Sequence, residues 1–391
     1  MKGAAHARSE REPGVEVSGG AAFAPGLEGV VATRTRLSMV DGAAGRLVIA
    51  GFPVEELAGR ASFEETLYLL WNGVLPDAGR LEGLRGDLAA RRALPEAAGE
   101  VLEAAVAGGA APIDALRMAA GTLAPSGNDR DDALTSVAAF PTIVAACWRL
   151  SQGREPVEPD PGLSHAANYL YMLSGEVPGE ERVRALETYL NTVSDHGMNA
   201  STFAARVISS TGSDLISAVV GAIGALKGPL HGGAPGPALD VVFEIGEPGR
   251  AEGVLRERLD RGERLMGFGH RVYKVRDPRA DVLAGAAERL YASDADEELY
   301  RLALEVERTA LRLLEEYKPG RNLDTNVEFY TALLLHGLGL PTGLFTPTFA
   351  VGRVAGWTAH CLEQRETGRL IRPQSEYVGP EARKWVPLEE R

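Results

Sequence analysis

Apolar residues return at every third or fourth position along most of this chain, a period that admits little except helices. In ASFEETLYLLWNGVLP, Ser62 and Glu65 form a capping box, Phe63, Leu67, Leu70 and Trp71 share one face, and Gly73 with Pro76 ends the run. Leu215, Val219, Ala222 and Leu226 make a second stripe; Leu299, Leu302, Val306, Ala310 and Leu313 make a third, closed by Pro319 and Gly320. Strand signals are confined to LEGVVATRTRLSMVDGAAGRLVIAG, where β-branched residues flank Asp41-Gly42 and can pair as a hairpin. The expected fold class is all-α with a small N-terminal β-hairpin.

A chain of 391 residues is long enough for two domains with substantial cores. Residues 1–22 read as a loose polar arm, since MKGAAHARSEREPG carries charges where a secretory signal needs an apolar stretch. Composition then divides the rest into a large helical domain (23–230), a smaller inserted helical domain (231–335), and a return to the large domain with a C-terminal arm (336–391). The formal net charge of -13 argues against nucleic acid or an anionic membrane as partner, because both reward a positive surface. The most apolar run, ISAVVGAIGAL, is too short to span a bilayer. Two cysteines, Cys147 and Cys361, lie among apolar neighbours and suit a reducing cytoplasm.

Four stretches set reactive residues beside glycines or helix starts: SDHGMNASTF (194–203), GPLHGGAPG (228–236), MGFGHRVYKVRDPRAD (266–281) and GRNLDTNVEF (320–329). His231 is either a turn histidine or a ring facing the N-terminus of the next helix, with Gly232 and Gly233 letting a substrate approach. A positive helix end keeps imidazole neutral, the state that donates a hydrogen bond to a carbonyl becoming an enolate. His270 follows Gly267 and Gly269 and precedes Arg271, Lys274, Arg276 and Arg279, which read as a solvated basic face or as an anion site. The turn Asp277-Pro278-Arg279 favours the second reading, because it would hold one guanidinium in a fixed direction. The dinucleotide fingerprint lacks its third glycine, and no Walker lysine occurs. Asp324 is an N-cap or a general base. His196 with Asn199 and Ser201 is a capping cluster or a polar binding wall. A metal held by His196, His231 and His270 has no HExxH or paired-cysteine spacing behind it, so no metal is expected.

Taken jointly and in this order, PLHGG, GFGHRVYKVRDPRA and NLD resemble the citrate synthases in their short bacterial form, and the likeness runs from LEGVVATRTRLSMVDG through LYLLWNGVLP to RLIRPQSEYVG. The resemblance implies a two-domain, almost all-helical homodimer that condenses oxaloacetate with acetyl-CoA and hydrolyses the thioester to citrate and CoA. No cofactor is bound permanently; the CoA thioester is a cosubstrate. By position, Asp324 matches the base, His231 the histidine that stabilises the enol, and His270 the residue that polarises the oxaloacetate carbonyl. His196, with Asn199 beside it, matches a further oxaloacetate-binding site; Arg279 and Arg353 match carboxylate-binding arginines, and Arg372 the one reaching in from the partner subunit. Lys274 lies where the family often has a basic residue near CoA. The chain departs from the family at HGMN and HGGAPG, where many members read His-Glu-Phe-Asn and HGGANE, so the walls around the acyl group can differ. Family members that use propionyl-CoA to make 2-methylcitrate share this catalytic set and are the alternative reading. A catalytically silent helical dimer is the remaining one.

Overall fold

The computed structural model describes residues 23–232, 235–269, 273, 275–293 and 296–391. The polar arm expected at 1–22 lies outside the described residues. Sixteen α-helices and one small sheet are present among the described residues, so the all-α expectation holds. The sheet has β1 (Ser38–Asp41) antiparallel to β2 (Arg46–Ile49), with Asp41 facing Arg46 across the turn, as the Asp41-Gly42 signal implied. It also has a third strand, β3 (Phe52–Pro53), too short to announce itself by alternation.

The chain then runs through α1 (Val54–Leu57), α2 (Phe63–Asn72), α3 (Ala78–Ala89), α4 (Glu96–Ala107) and α5 (Pro112–Ala120) to the long α6 (Asp129–Ser151). Next come α7 (His165–Ser174), α8 (Glu180–Val193), α9 (Ala200–Ser210) and α10 (Leu215–Leu226). A charge-rich section follows with α11 (Pro235–Ile245), α12 (Ala251–Asp260), α13 (Pro278–Ser293) and α14 (Glu297–Tyr317), before α15 (Val327–Gly337) and α16 (Phe345–Thr367). The capping box on α2 is formed in both directions, with Glu65 N–H donating to Ser62 Oγ and Ser62 N–H to Glu65 Oε2. All four stripe residues of α10 are buried, and the stripe of α14 is buried from Leu302 to Leu313.

Two helices are buried nearly all round, as a core helix must be when neighbours cover every face: α6 and α16. Helix α6 is long and apolar enough to cross a membrane by length and composition, but most of it is packed inside the protein core. Around α16 pack α2, α6, α8, α9 and α10, so side chains from α16 and from the α8–α9 junction meet in the interior. Both cysteines are free and buried. Thr35–Ile371 forms one compact unit, and the described residues of 1–34 together with 372–391 form another.

Candidate active site

The first wall of the site is built at the α8–α9 junction. Asn199 caps α9: its Oδ1 accepts the Thr202 N–H, and its Nδ2 donates to Gly197 O and Thr202 Oγ1. Ser201 Oγ lies 2.8 Å from Asn199 Oδ1 and 2.8 Å from His231 Nε2, and it accepts the Trp357 Nε1–H at 3.0 Å. A hydroxyl has one proton and two lone pairs. When that proton goes to Asn199, His231 donates from Nε2; when it turns to His231, the ring carries its hydrogen on Nδ1. The capping reading holds: Asn199 caps the helix, and Ser201 links it to His231.

His231 is half-buried, packs edge-on to Phe349 at 6.2 Å between ring centroids, and has its pKa pushed down to about 4. Burial is the main cause and the charge of Arg353 the second, against a smaller opposing pull from its own backbone carbonyl. The ring is thus neutral, the state expected, with burial and Arg353 as causes. Gly232 also has another role: a Cβ there would sit 2.6 Å from Leu226 O, so the glycine lets the chain fold back over the end of α10, where its N–H bonds Leu226 O.

Arg353 is buried in α16. Its Nε donates to Val193 O at 2.5 Å, and its guanidinium lies 4.8 Å from the centroid of Phe349. That is its one hydrogen bond among the described residues, leaving Nη1 and Nη2 for a ligand. Burial pulls its pKa down to about 10, with Asp195 opposing and Arg279 assisting. Asp195 is held by a fully buried chain: Arg206 Nη1 donates to His360 Nδ1 at 2.8 Å, which leaves the His360 proton on Nε2, aimed at Asp195 Oδ1 3.1 Å away. Burial favours protonated Asp195, yet the bonds from His360 and Ser38 and the charge of Arg353 bring its pKa below the usual range. This buried chain fixes the residue immediately before His196.

His196 Nε2 lies 3.0 Å from the Tyr273 hydroxyl, and the Arg279 guanidinium sits over the same tyrosine ring at 5.7 Å. Arg279 is buried at the start of α13 and paired with Asp277, Nε to Oδ1 at 3.0 Å and Nη2 to Oδ2 at 2.7 Å. Burial opposes its charge, but Asp277 more than offsets this and raises its pKa. The fixed direction expected of the Asp277-Pro278-Arg279 turn is thus achieved by this two-pronged pair.

Asp324 stands on the loop before α15, and the helix is capped by Asn326 instead, whose Oδ1 accepts the Glu328 N–H. The N-cap reading of Asp324 therefore fails, because the helix begins three residues later. Its loop pairs antiparallel with 267–269: Gly269 N–H donates to Asp324 O and Asn326 N–H to Gly267 O, about the Phe268–Thr325 bridge. Gly267 and Gly269 have φ of 89° and 76°, values that only glycine adopts without strain. Asp324 Oδ1 accepts the Thr325 N–H at 2.8 Å and lies 3.4 Å from Arg276 Nη1.

Shared neighbours thus draw His196, His231, Arg279 and Arg353 together: Tyr273 between His196 and Arg279, Phe349 between His231 and Arg353, and Asp195 beside Arg353. Asp324 is tied to Arg276, three residues before Arg279, and among the described residues it makes no direct contact with these four. His270 and Lys274 lie outside the described residues, and Arg372 belongs to the other compact unit. Trp357, Tyr273 and Phe349 were not foreseen. Trp357 and Phe349 lie one turn either side of Arg353 on α16, a spacing that could have suggested both; nothing in the sequence marks Tyr273. Among the described residues no cluster of His, Cys, Asp and Glu could hold a metal.

Residues 26–374 match the family model "Citrate synthase, C-terminal domain". The chain is 41% identical over 379 residues to the citrate synthase of Haloferax volcanii, covering 94% of this chain and 98% of that one. It is 37% identical over 373 residues to the 2-methylcitrate synthase of Shewanella oneidensis, covering 94% and 97%. Its structure is similar to that of the citrate synthase of Thermoplasma acidophilum in a ternary complex with carboxymethyl coenzyme A and oxaloacetate, with a TM-score of 0.83, 33% identity, and 94% and 99% of the chains covered. On the strength of this full-length similarity, the chain belongs to the citrate synthase family.

Proposed function

We propose that the protein is a citrate synthase, condensing acetyl-CoA with oxaloacetate and hydrolysing citryl-CoA to citrate and CoA. The observation that carries this reading is a histidine held neutral beside a buried arginine with two uncommitted nitrogens. The α-proton of a thioester is too weakly acidic for a carboxylate alone, so its removal needs a donor on the oxygen that gains charge. Asp324 takes the methyl proton while His231 donates a hydrogen bond to the thioester oxygen. The enol carbon then bonds to the oxaloacetate carbonyl carbon, and His270, assigned by its place in GFGHRVYK, protonates the resulting alkoxide. Water finally cleaves the thioester, releasing CoA.

Arg279 and Arg353 bind the carboxylates in the bidentate geometry that lysine lacks, with His196 beside them. Asn199 acts through Ser201. Arg372 enters from the partner subunit of a homodimer, and Lys274 meets CoA. Residues 231–335 close over the remainder to exclude water during condensation. The protein works in the cytoplasm, where its two buried thiols stay reduced.

The relatives include enzymes named for 2-methylcitrate, and one extra methylene in an apolar pocket changes discrimination by only about 1–3 kcal/mol. The test is CoA release, followed with a thiol reagent, with oxaloacetate and either acetyl-CoA or propionyl-CoA. A higher kcat/KM for acetyl-CoA is expected. A propionyl-CoA preference would move the protein to 2-methylcitrate synthesis, and no release with either would make it a silent homologue.

A further inference from the structure

Side chains steer the backbone where α16 ends. Gln364, buried in the last turn, accepts the Arg206 Nε–H at Oε1 over 3.0 Å and donates from Nε2 to Arg369 O, also at 3.0 Å. Arg206 is fully buried on α9 and is held by Glu363 Oε2 at 2.7 Å and His360 Nδ1 at 2.8 Å. One turn further along α9, Ser210 Oγ accepts the Ile371 N–H at 3.0 Å. Residues 369–371 are therefore tied at a carbonyl and at an N–H, although Arg369 and Leu370 are exposed and a loop backbone there would ordinarily bond water. Gly368 makes room for this: a Cβ at that position would lie 1.9 Å from Gln364 Nε2, so the amide fills the space a side chain would take. We propose that Gln364 is a positioning residue for Arg372, the next residue along the chain: it fixes where the C-terminal arm departs, so that Arg372 reaches the oxaloacetate site of the other subunit. This rests on the reading of Arg372 as shared across a homodimer.

The chemistry at this point calls for an amide. Arg206 Nε can only donate and Arg369 O can only accept, so the side chain between them must offer one acceptor and one donor. An ionised glutamate lacks the donor, lysine lacks the acceptor, and methionine lacks both. A guanidinium that must form a two-pronged pair with a carboxylate on another subunit has little tolerance in position. An arm with a loose root would spread that guanidinium over many places and lower the fraction ready to bind. Gln364 has a second connection, through Arg206 and His360 to Asp195 beside His196 of its own subunit. A defect at Gln364 could act by either route, and the two routes end in different sites.

Gln364→Met removes both bonds, and the oxaloacetate KM should rise by about tenfold with the acetyl-CoA KM unchanged and the dimer intact. Hybrid dimers then show whose site is affected. A Gln364→Met subunit is paired with a His231→Ala subunit and the hybrid is isolated through two different affinity tags. The Gln364→Met subunit keeps its own His231 and receives an unaltered arm from its partner. That site should work with the parent oxaloacetate KM, at about half the parent kcat per dimer, as one site of two. A hybrid that retains the raised KM would overturn the proposal, since Gln364 would then serve its own site through Arg206; an unchanged KM in the Gln364→Met homodimer would overturn it as well. Gly368→Ala, which displaces the amide without altering Gln364 or Arg206, should behave in the same way and carries the test if Gln364→Met does not fold. Arg372→Ala paired with His231→Ala is the control: if that hybrid is not restored, the shared site itself is wrong, whatever Gln364 does.

Discussion

Replacing Arg353 by methionine should separate what this residue does for the fold from what it does for binding. Arg353 is 1% exposed and, among the described residues, bonded only at Nε. A fall in pKa from 12.5 to about 10 corresponds to about 3 kcal/mol against the charged form, which at neutral pH the folded protein must carry. Methionine is unbranched and can keep the contact with Phe349, so Arg353→Met relieves that cost. It also orphans Val193 O, a loss of about 1–3 kcal/mol, so the unliganded variant should be as stable as the parent or better by about 1 kcal/mol. Binding should respond the other way. Oxaloacetate at about 100 times its Kd stabilises the parent by about 2.7 kcal/mol, and at the same concentration this gain should fall to about 0.9 kcal/mol or less in the variant. Losing a buried charge-assisted pair costs about 2–5 kcal/mol, so kcat/KM should fall by a factor of about 30 or more. Thermal unfolding with and without oxaloacetate, beside steady-state kinetics, reads all three. A variant destabilised by several kcal/mol yet still stabilised by oxaloacetate would refute the reasoning, since Arg353 would then be a core residue and not a ligand.

Ser201→Ala should lower kcat by about tenfold or more with little change in oxaloacetate KM, because the ring it orients stabilises the transition state; a change confined to KM would contradict that role. Glu187 on α8 is buried near Glu64, and burial first, then the Glu64 charge, pushes its pKa up to about 7. With the folded value above the unfolded one, its contribution is complete below about pH 4.5 and is lost as pH rises to about 7, a loss of at most about 3 kcal/mol. Glu187→Gln should therefore flatten the fall in stability between pH 5 and 7 and leave the variant more stable than the parent at about pH 8. Urea unfolding across that range checks it, and an unchanged slope would discount the Glu187 titration.

Local chemistry was legible in the sequence wherever it acts over one or two turns. The capping box of Ser62 and Glu65, the buried stripes of α10 and α14, and the turn after Asp41 all depend on neighbours within a few residues. Long-range contacts were not legible. The burial of His231 and the charge of Arg353 on α16, distant in sequence, keep the ring neutral, and neither could be read locally. Gly232 looked like an opening for substrate because its packing against Leu226 depends on the chain doubling back. Asp324 looked like a cap because Asn326, two residues on, fits the same preference. The four motifs do meet in space: Ser201 touches His231, His196 touches Tyr273, and 267–269 pairs with the loop that carries Asp324.

On the proposed function, the two buried arginines divide the work of binding a dicarboxylate in an acidic protein. Arg279 is already neutralised by Asp277 through a two-pronged pair, so its direction is set before any ligand arrives. A ligand carboxylate reaching it must share the guanidinium with Asp277, and gains less for that reason. Arg353 has the opposite balance: one carbonyl bond, a pKa pulled down by burial, and a second guanidinium nearby that worsens its position. Bringing an anion to Arg353 removes a cost already carried by the fold, and this is where the binding energy should concentrate. On that reading Arg279 supplies orientation and Arg353 affinity. On this account Asp277→Asn should tighten oxaloacetate binding while lowering kcat, because it frees Arg279 for the ligand but loosens its aim. Weaker binding together with an unchanged kcat would show that the pair contributes affinity instead of geometry.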